Sequence, residues 1–262
     1  MLARDIALLS EAALAAGEIA RRHFGTGPES WDKGGTQGPV SVADLEINDM
    51  LKASLGAARP DYGWLSEETP DDAARLGPER TFIIDPIDGT RAFLAGDTSF
   101  SHSLALAEGG EIIAAVVHLP MRDETYIATL GGGASLNGVA LAVSQTSNPE
   151  GASILSNKAN LMPAFWSGPV PLVNRHFRPS LAWRMCLVAS GQYDAMLTLR
   201  PTWEWDVAAG ALIVAEAGGS VRTRDHLAPR FNNPEPQLNG LVAGPAALTN
   251  ALIARLNPAH SN

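Results

Sequence analysis

Residues 81–90 read TFIIDPIDGT, a short apolar run that leads into two aspartates. The run from Thr81 to Ile84 starts with a β-branched residue, and this pattern predicts a buried strand that delivers Asp85 to its end. Pro86 restricts the backbone that follows, so a turn at this point aims the carboxylates of Asp85 and Asp88 at one place.

The chemistry of the turn suits a metal and a phosphate. Magnesium takes oxygen ligands in an octahedral array, and Asp85, Asp88 and the Ile87 carbonyl supply three oxygens. Gly89 and Thr90 stand at a predicted helix start, where backbone N–H groups and the helix dipole favour an anion. The competing interpretation is an ordinary turn, for which Asp-Gly is a common choice.

Two other acidic segments are candidates for the same site. Glu67 and Glu68 follow an apolar pair, with no basic residue within four positions. Asp206 opens a predicted helix of small residues, although helix capping alone explains an acid there. Because several carboxylates without counterions repel each other and raise each other's pKa values, their convergence requires a bound metal.

The rest of the chain predicts helices layered on sheets. The 262 residues are 45% hydrophobic, which is enough for a sizeable core. Periodicity and turn signals predict helices and a strand meander, as follows: a helix from Leu2 to Phe24, a helix start at Ser41 to Asp44, strands within 103–130, and helices at 181–190 and 207–217. The polar, glycine-rich stretch 29–39 is predicted to be a mobile loop. We expect an α+β fold with two lobes, residues 1–145 with most metal ligands and 146–262 with Asp206 and substrate contacts.

Composition excludes several classes of function. The formal net charge is −9, and no concentrated basic face is present to bind a nucleic acid polymer. No apolar stretch approaches the roughly 20 residues that cross a bilayer, so we expect a cytoplasmic protein without membrane contact. Cys186 is the only cysteine, which rules out an internal disulfide and a thiolate metal cage.

These motifs resemble the signature of the inositol monophosphatase superfamily. The resemblance is carried by Asp85 to Thr90, the Glu67-Glu68 pair and the segment 205–209, and it extends from the first helix to about Gly244. It implies a layered αβαβα sandwich of the inositol monophosphatase and fructose-1,6-bisphosphatase type. It also implies a magnesium-dependent phosphomonoesterase that acts on a small phosphate ester, is sensitive to lithium and often forms a homodimer.

The same resemblance implies roles for individual residues. Glu67, Asp85 and the Ile87 carbonyl would hold one magnesium, and Asp85, Asp88 and Asp206 a second, with a third and looser ion near Glu67. A water polarised by Thr90 and Asp44 would attack phosphorus in line, so Asp44, Glu67 and Thr90 are the expected catalytic residues. The expected substrate-binding residues are Lys33, Asp88, Gly89, Thr90, Arg91 and Asp206; Lys33 matches a family lysine that helps to order the metal site.

Departures from the family pattern favour one substrate class. Leu199 stands where inositol-specific members carry a glutamate that grips sugar hydroxyls, and a leucine accepts no hydrogen bond. Arg91 resembles the cationic position of bisphosphate nucleotidases and histidinol phosphatases. The segments 62–69 and 200–202 resemble bacterial 3'(2'),5'-bisphosphate nucleotidases, so we expect 3'-phosphoadenosine 5'-phosphate to be converted to AMP and phosphate. Inositol-1-monophosphatase and histidinol-phosphatase remain alternatives. Trp203 either stacks on adenine or simply packs.

Two rivals lie outside this scheme. One rival is a phosphatase with an aspartate nucleophile, which also has acids before Gly-Thr. In such an enzyme a single residue separates the two acids, whereas two residues, Pro86 and Ile87, separate Asp85 from Asp88. A catalytically dead metabolite-binding protein of the same fold is expected to lack a ligand or the threonine, and this chain retains them.

Overall fold

The computed structural model describes residues 2–34 and 38–257. The α-helices are α1 Leu2–His23, α2 Val42–Ala58, α3 Thr90–Leu94, α4 Leu181–Ala189, α5 Glu204–Glu216 and α6 Ala246–Ile253. The strands are β1 Ser30–Asp32, β2 Pro39–Ser41, β3 Gly63–Ser66, β4 Arg80–Asp88, β5 Ser101–Glu108, β6 Glu111–Leu119, β7 Glu124–Thr129, β8 Gly133–Leu136, β9 Val139–Ala140, β10 Ser153–Ser156, β11 Asn174–His176, β12 Ala195–Trp203, β13 Ser220–Thr223 and β14 Gln237–Gly244. No helix in these two ranges is long and apolar enough to cross a membrane.

The larger sheet has seven strands in the order β3-β4-β5-β6-β7-β8-β9. Only the β3–β4 pair is parallel, and the remaining strands form an antiparallel meander. Gly109 and Gly110 join β5 to β6 with positive φ angles of 55° and 86°, as a two-residue hairpin turn requires. The central strands are buried on both faces because helices cover each side.

The smaller sheet has five strands in the order β11-β10-β12-β14-β13. Its residues alternate between two cores: Leu155 and Met196 pack inward against α4 and α5, whereas Ile154 and Leu197 pack outward beneath α6. Since α1 and α2 cover the outer face of the larger sheet, the order of layers is helices, sheet, helices, sheet, helix. The expected αβαβα sandwich is confirmed.

The central layer explains how distant segments reach one site. Helix α5 is apolar on nearly every side and contacts strands of both sheets. It also lies very close to α4: a Cβ added to Gly210 would lie 2.6 Å from the Met185 Cβ. Buried helices of this kind place their N-terminal turns at the edge of the sheets.

The structure changes one prediction made from the sequence and leaves another untested. The stretch 29–39, predicted as a mobile loop, begins and ends with strands, because Trp31 pairs with Val40 in an antiparallel β1–β2 ladder. The two-lobe division at 145 remains a prediction, since α4 and α5 follow that point in sequence but pack on both sheets. The last five residues of the proposed second lobe, 258–262, lie outside the described residues.

Candidate active site

The carboxyl ends of β3 and β4 meet at one edge of the larger sheet. These strands are parallel, with Ser66 opposite Ile84, and the Glu67 N–H donates to the Ile84 carbonyl at 3.2 Å. Glu67, the first residue after β3, therefore lies beside Asp85 of β4. This follows from parallel pairing and requires no special turn.

The turn predicted after Asp85 is instead a bulge within β4, which continues to Asp88. The bulge places Asp85 and Asp88 on the same face of the sheet. Asp85 lies opposite Ser103 and Asp88 opposite Ser101, so three steps along β4 match two along β5. Residues three apart on a regular strand point to opposite faces, and the extra residue cancels this difference. Both aspartates consequently face the central helices, as Ser101 and Ser103 do.

Asp206 joins this group from the first turn of α5. One carboxylate oxygen from each of Glu67, Asp85 and Asp206 lies within 4.8 Å of the others. Asp85 is 1% exposed, and its Oδ1 has no hydrogen-bond partner among the described residues. A buried carboxylate oxygen without a donor, beside two further carboxylates, is a donor set that fits a divalent cation.

Asp88 is held by the start of α4. Its Oδ2 accepts hydrogen bonds from the Ser180 hydroxyl at 2.6 Å and from the Ala182 N–H at 2.7 Å. Ser180 also caps the helix by accepting from the Trp183 N–H. The helix terminus thus orients Asp88, and Pro179 before Ser180 does not disturb the cap.

Burial raises the pKa values of the acidic cluster. Loss of solvent is the largest cause for Glu67, Asp85, Asp88 and Asp206, and repulsion between the carboxylates adds to it for Glu67, Asp85 and Asp206. The hydrogen bonds from the start of α4 act in the opposite direction on Asp88. A bound cation would offset both the loss of solvent around the carboxylates and the repulsion between them.

Lys33 is the cation that faces this cluster. Its Nζ donates to Glu67 at 2.8 Å and to Glu68 at 2.9 Å. Burial lowers the pKa of Lys33, but the two carboxylates outweigh burial and the pKa is raised overall. Lys33 is therefore charged, and it links the β1–β2 hairpin to the end of β3.

Asp44 and Thr90 approach the site from the opposite side. Asp44 occupies the third position of α2, where its Oδ2 accepts from the Ser41 N–H at 2.8 Å and from the Ser41 hydroxyl, as the Ser41 to Asp44 spacing predicted. The Thr90 hydroxyl lies 3.2 Å from Asp44 Oδ1 and 3.0 Å from the Ile87 carbonyl. Burial raises the pKa of Asp44 to about 6.

Gly89 makes the turn before Thr90 possible. Its φ is +102°, in the left-handed region, and an added Cβ would lie 3.3 Å from the Ser99 carbonyl. A side chain at this position would strain the backbone and crowd the next strand. The predicted helix begins at Thr90 but is only five residues long.

A cleft of about 780 Å³ opens beside the carboxylates. Three arginines line it: Arg91, Arg184 and Arg200. Arg184 is only 3% exposed, and within residues 2–34 and 38–257 no carboxylate lies within 4 Å of its guanidinium. Burial lowers the pKa of Arg184 to about 10, so the group stays charged at neutral pH. Arg184 was not among the site residues predicted from the sequence, because a single arginine in an apolar helix pattern does not indicate a binding site.

The structure shows which residue of β12 faces the cleft near Leu199. Leu199 is 1% exposed and packs in the core beneath α6, so it is not a cleft residue. A register shift between Thr198 and Pro201 adds one residue to β12, and the exposed Arg200 lines the cleft instead. At this point of β12 the cleft is therefore lined by the cation Arg200, and Leu199 contributes nothing to it.

Two tryptophans separate the cleft from a smaller pocket. Trp203 and Trp205 stack with ring centroids 4.7 Å apart and planes 10° apart. Trp203 lines both the cleft and the adjoining pocket of about 470 Å³, which also contains Lys33 and Glu68. One face of the Trp203 ring therefore packs against Trp205.

The fold brings the predicted residues to one place. Glu67, Asp85 and Asp206 form the three-carboxylate group. Asp88, Ile87, Gly89, Thr90 and Arg91 line the cleft beside them, Lys33 reaches Glu67, and Asp44 reaches Thr90.

The comparisons with known proteins agree with this architecture. A model of the "Inositol monophosphatase family" matches residues 1–260. An inositol-1-monophosphatase of Mesorhizobium japonicum is 32% identical over 269 residues, which covers 94% of this chain and 93% of that relative.

Two solved structures share the fold. The extragenic suppressor protein suhB from Bartonella henselae superposes with a TM-score of 0.81 at 27% identity, over 96% of this chain and 97% of that chain. CysQ from Bacteroides thetaiotaomicron superposes with a TM-score of 0.74 at 24% identity, over 92% of this chain and 97% of that chain, a likeness of fold alone. The chain therefore belongs to the inositol monophosphatase family and is a phosphatase.

Proposed function

We propose that this phosphatase requires magnesium and hydrolyses a small phosphate ester that carries a second anionic group, with 3'-phosphoadenosine 5'-phosphate as the first candidate. The observation that carries the proposal is the convergence of Glu67, Asp85 and Asp206 around the unpartnered Asp85 Oδ1. Repulsion among buried acids makes this arrangement costly unless a cation is bound.

In this proposal Glu67, Asp85, Asp88, Asp206 and the Ile87 carbonyl hold two to three Mg²⁺ ions. When bound, Mg²⁺ supplies Lewis acidity, which neutralises charge on the phosphoryl oxygens and makes water a better nucleophile. The residues supply hard oxygen ligands only, which suits Mg²⁺ rather than a metal that prefers sulfur or imidazole.

Proton transfer falls to Thr90 and Asp44. With its proton donated to Asp44 at 3.2 Å, the Thr90 oxygen can accept a hydrogen bond from a water in the cleft. Because burial raises the pKa of Asp44 to about 6, this carboxylate is ionised at neutral pH yet basic enough to take a proton. Thr90 orients the water, and Asp44 receives its proton through the hydroxyl.

The arginines support the choice of substrate. Arg91, Arg184 and Arg200 place three positive charges along the cleft, whereas one phosphoryl group at the cations needs none of them. Guanidinium groups bind phosphate with charge-assisted, often paired hydrogen bonds. A cleft of about 780 Å³ has room for a nucleotide, and Trp203 offers an aromatic wall for a base.

The alternatives are inositol-1-monophosphatase and histidinol-phosphatase. The first is favoured by the name of the Mesorhizobium japonicum relative. It is opposed by the cleft itself, where Arg200 rather than a carboxylate is placed to meet sugar hydroxyls.

The experiment compares phosphate release from four esters in parallel: 3'-phosphoadenosine 5'-phosphate, inositol 1-phosphate, fructose 1,6-bisphosphate and histidinol phosphate. Each is assayed with Mg²⁺, with EDTA, and with Mg²⁺ plus Li⁺. We expect the highest kcat/KM for the nucleotide, loss of turnover in EDTA and inhibition by Li⁺. A clear preference for inositol 1-phosphate would overturn the substrate, and turnover in EDTA would overturn the metal requirement.

The quaternary state is a separate part of the proposal. The family resemblance implies a homodimer, which light scattering on the purified protein tests directly. A mass near the 27.6 kDa of one chain at assay concentration would contradict it.

A further inference from the structure

The bulge that carries Asp85, Ile87 and Asp88 departs from the regular pairing of β4 with β5. The β4–β5 register shifts between Asp85 and Asp88, so the ladder is interrupted at this point. Pro86 lies within the bulge and has no N–H to donate. A segment that must hold two carboxylates and a carbonyl in place therefore depends on other contacts.

His102 supplies such a contact. It lies on β5 directly opposite the bulge, between Ser101 and Ser103, and is 0% exposed. Its Nδ1 is hydrogen-bonded to the Pro86 carbonyl. Because burial lowers the pKa of His102 to about 3, the ring is neutral and carries one N–H. A carbonyl only accepts, so that hydrogen is on Nδ1.

The remaining contacts of the ring are packing contacts. His102 Nε2 has no hydrogen-bond partner among the described residues. The ring lies 6.2 Å from the Phe100 ring and 6.1 Å from the His118 ring, measured between centroids. His118 is itself confined by α1, where a Cβ added to Gly17 would lie 2.8 Å from its Nε2. The imidazole is thus fixed by packing, and among the described residues its one hydrogen bond is to the Pro86 carbonyl in the bulge.

We propose that His102 is a positioning residue for the metal site, which fixes the Asp85–Asp88 bulge through the Pro86 carbonyl. The proposal rests on the proposed function, since it assumes that these residues bind Mg²⁺. Removal of a group that hydrogen-bonds to a metal-binding segment, without binding the metal itself, lowers metal affinity roughly 10- to 100-fold. His102 does not touch the substrate, and its effect is on the geometry of the ligands.

The test uses three variants at this position and one control. His102→Leu keeps a branched side chain without a donor. In His102→Asn the amide nitrogen takes nearly the place of Nδ1, while in His102→Gln it lies one bond further out. The control, His118→Leu, alters the neighbouring ring, which is bonded to Thr125 rather than to the bulge. For each protein we would measure the Mg²⁺-induced rise in Tm, Mg²⁺ binding by calorimetry, and the Mg²⁺ concentration that gives half-maximal activity.

We expect His102→Leu and His102→Gln to weaken Mg²⁺ binding roughly 10-fold or more, and His102→Asn to stay within about threefold of the original protein. His118→Leu should lower Tm without changing Mg²⁺ affinity. If His102→Leu does not fold, the comparison of Asn with Gln decides. The proposal is overturned if all three variants bind Mg²⁺ as the original protein does, or if Asn loses as much affinity as Gln. An original protein that binds no Mg²⁺ would instead refute the proposed function.

Discussion

The Thr90 hydroxyl lies between two acceptors, 3.2 Å from Asp44 Oδ1 and 3.0 Å from the Ile87 carbonyl. A hydroxyl has one hydrogen, so it donates to only one of them at a time. Donation to Asp44 leaves the Thr90 oxygen free to accept from a water beside the proposed cations. The Thr90 hydroxyl therefore lies between Ile87, a proposed metal ligand, and Asp44, the proposed proton acceptor.

Removal of either member of the pair should stop proton transfer. We expect Thr90→Val and Asp44→Asn each to lower kcat about 100-fold, and the double variant to be little worse than either, because the two residues act as a unit. Thr90→Ser retains the hydroxyl and should lose less than about tenfold. Steady-state kinetics at saturating Mg²⁺ measures this. Additive losses in the double variant would show that the residues act separately.

Arg184 should discriminate between substrates. Arg184→Met removes the buried guanidinium from the cleft, and we expect kcat/KM for the bisphosphate nucleotide to fall roughly 10- to 100-fold through loss of a charge-assisted bond. Turnover of inositol 1-phosphate should change less than about threefold. Arg222→Met is the matched control, because Arg222 is half-buried on β13 outside the cleft. Equal losses on both substrates would assign Arg184 to folding instead.

The acidic cluster predicts an unusual dependence of stability on pH. The pKa of Asp44 rises from its ordinary 3.8 to about 6 on folding, so its protonated form stabilises the fold by roughly 3 kcal/mol relative to the ionised form. That stability is complete below about pH 4 and is lost as pH rises through about 6. The raised pKa values of Glu67, Asp85 and Asp206 act in the same direction.

The metal-free protein should therefore have a lower Tm at pH 7.5 than at pH 5, and the rise in Tm caused by Mg²⁺ should grow over the same interval. Scanning calorimetry in EDTA and in Mg²⁺ measures both. A Tm in EDTA that increases steadily from pH 5 to 7.5 would mean that the carboxylates are not destabilising one another.

Asp5 is predicted to matter for stability alone. It is 0% exposed, and its carboxylate accepts from Arg59 at 2.7 Å and from Arg80 at 3.2 Å. Asp5→Ala leaves two guanidinium groups without their shared partner, which should cost about 3 kcal/mol in the free energy of unfolding. Urea denaturation measures the loss, and kcat of the folded fraction should be unchanged.

The control for Asp5 is an exposed ion pair. Glu150 and Arg255 lie 2.7 Å apart, with 44% and 40% of their side chains exposed. Glu150→Gln should lower the free energy of unfolding far less than Asp5→Ala does, because solvent screens an exposed ion pair. If both variants lose the same amount, the Asp5 cluster contributes no more than a surface pair.

Local patterns predicted the elements that place the ligands. The apolar run before Asp85 lies within β4, and the Ser41 to Asp44 spacing begins α2. The predicted helix at 207–217 is α5, which begins three residues earlier, at Glu204, and includes Asp206. These features depend on neighbouring residues along the chain. Periodicity and capping chemistry are therefore sufficient to find them.

Features that depend on pairing between distant strands were not predictable. The β12 bulge places Leu199 in the core and Arg200 at the cleft. Pro201 is compatible with a bulge in β12, but it does not show which of the neighbouring residues faces the core. Arg184 and His102 gain their surroundings only when α4 and β5 pack. In both cases the partner atom is a backbone carbonyl, which leaves no trace in the sequence.

The most direct measurement is anomalous diffraction from a crystal of the active protein soaked with Mn²⁺ in place of Mg²⁺. The account predicts an anomalous peak between the carboxylates of Glu67, Asp85 and Asp206, and loss of that peak in Asp85→Asn. Clear density for these three side chains without a peak between them, in a protein that still releases phosphate, would contradict it.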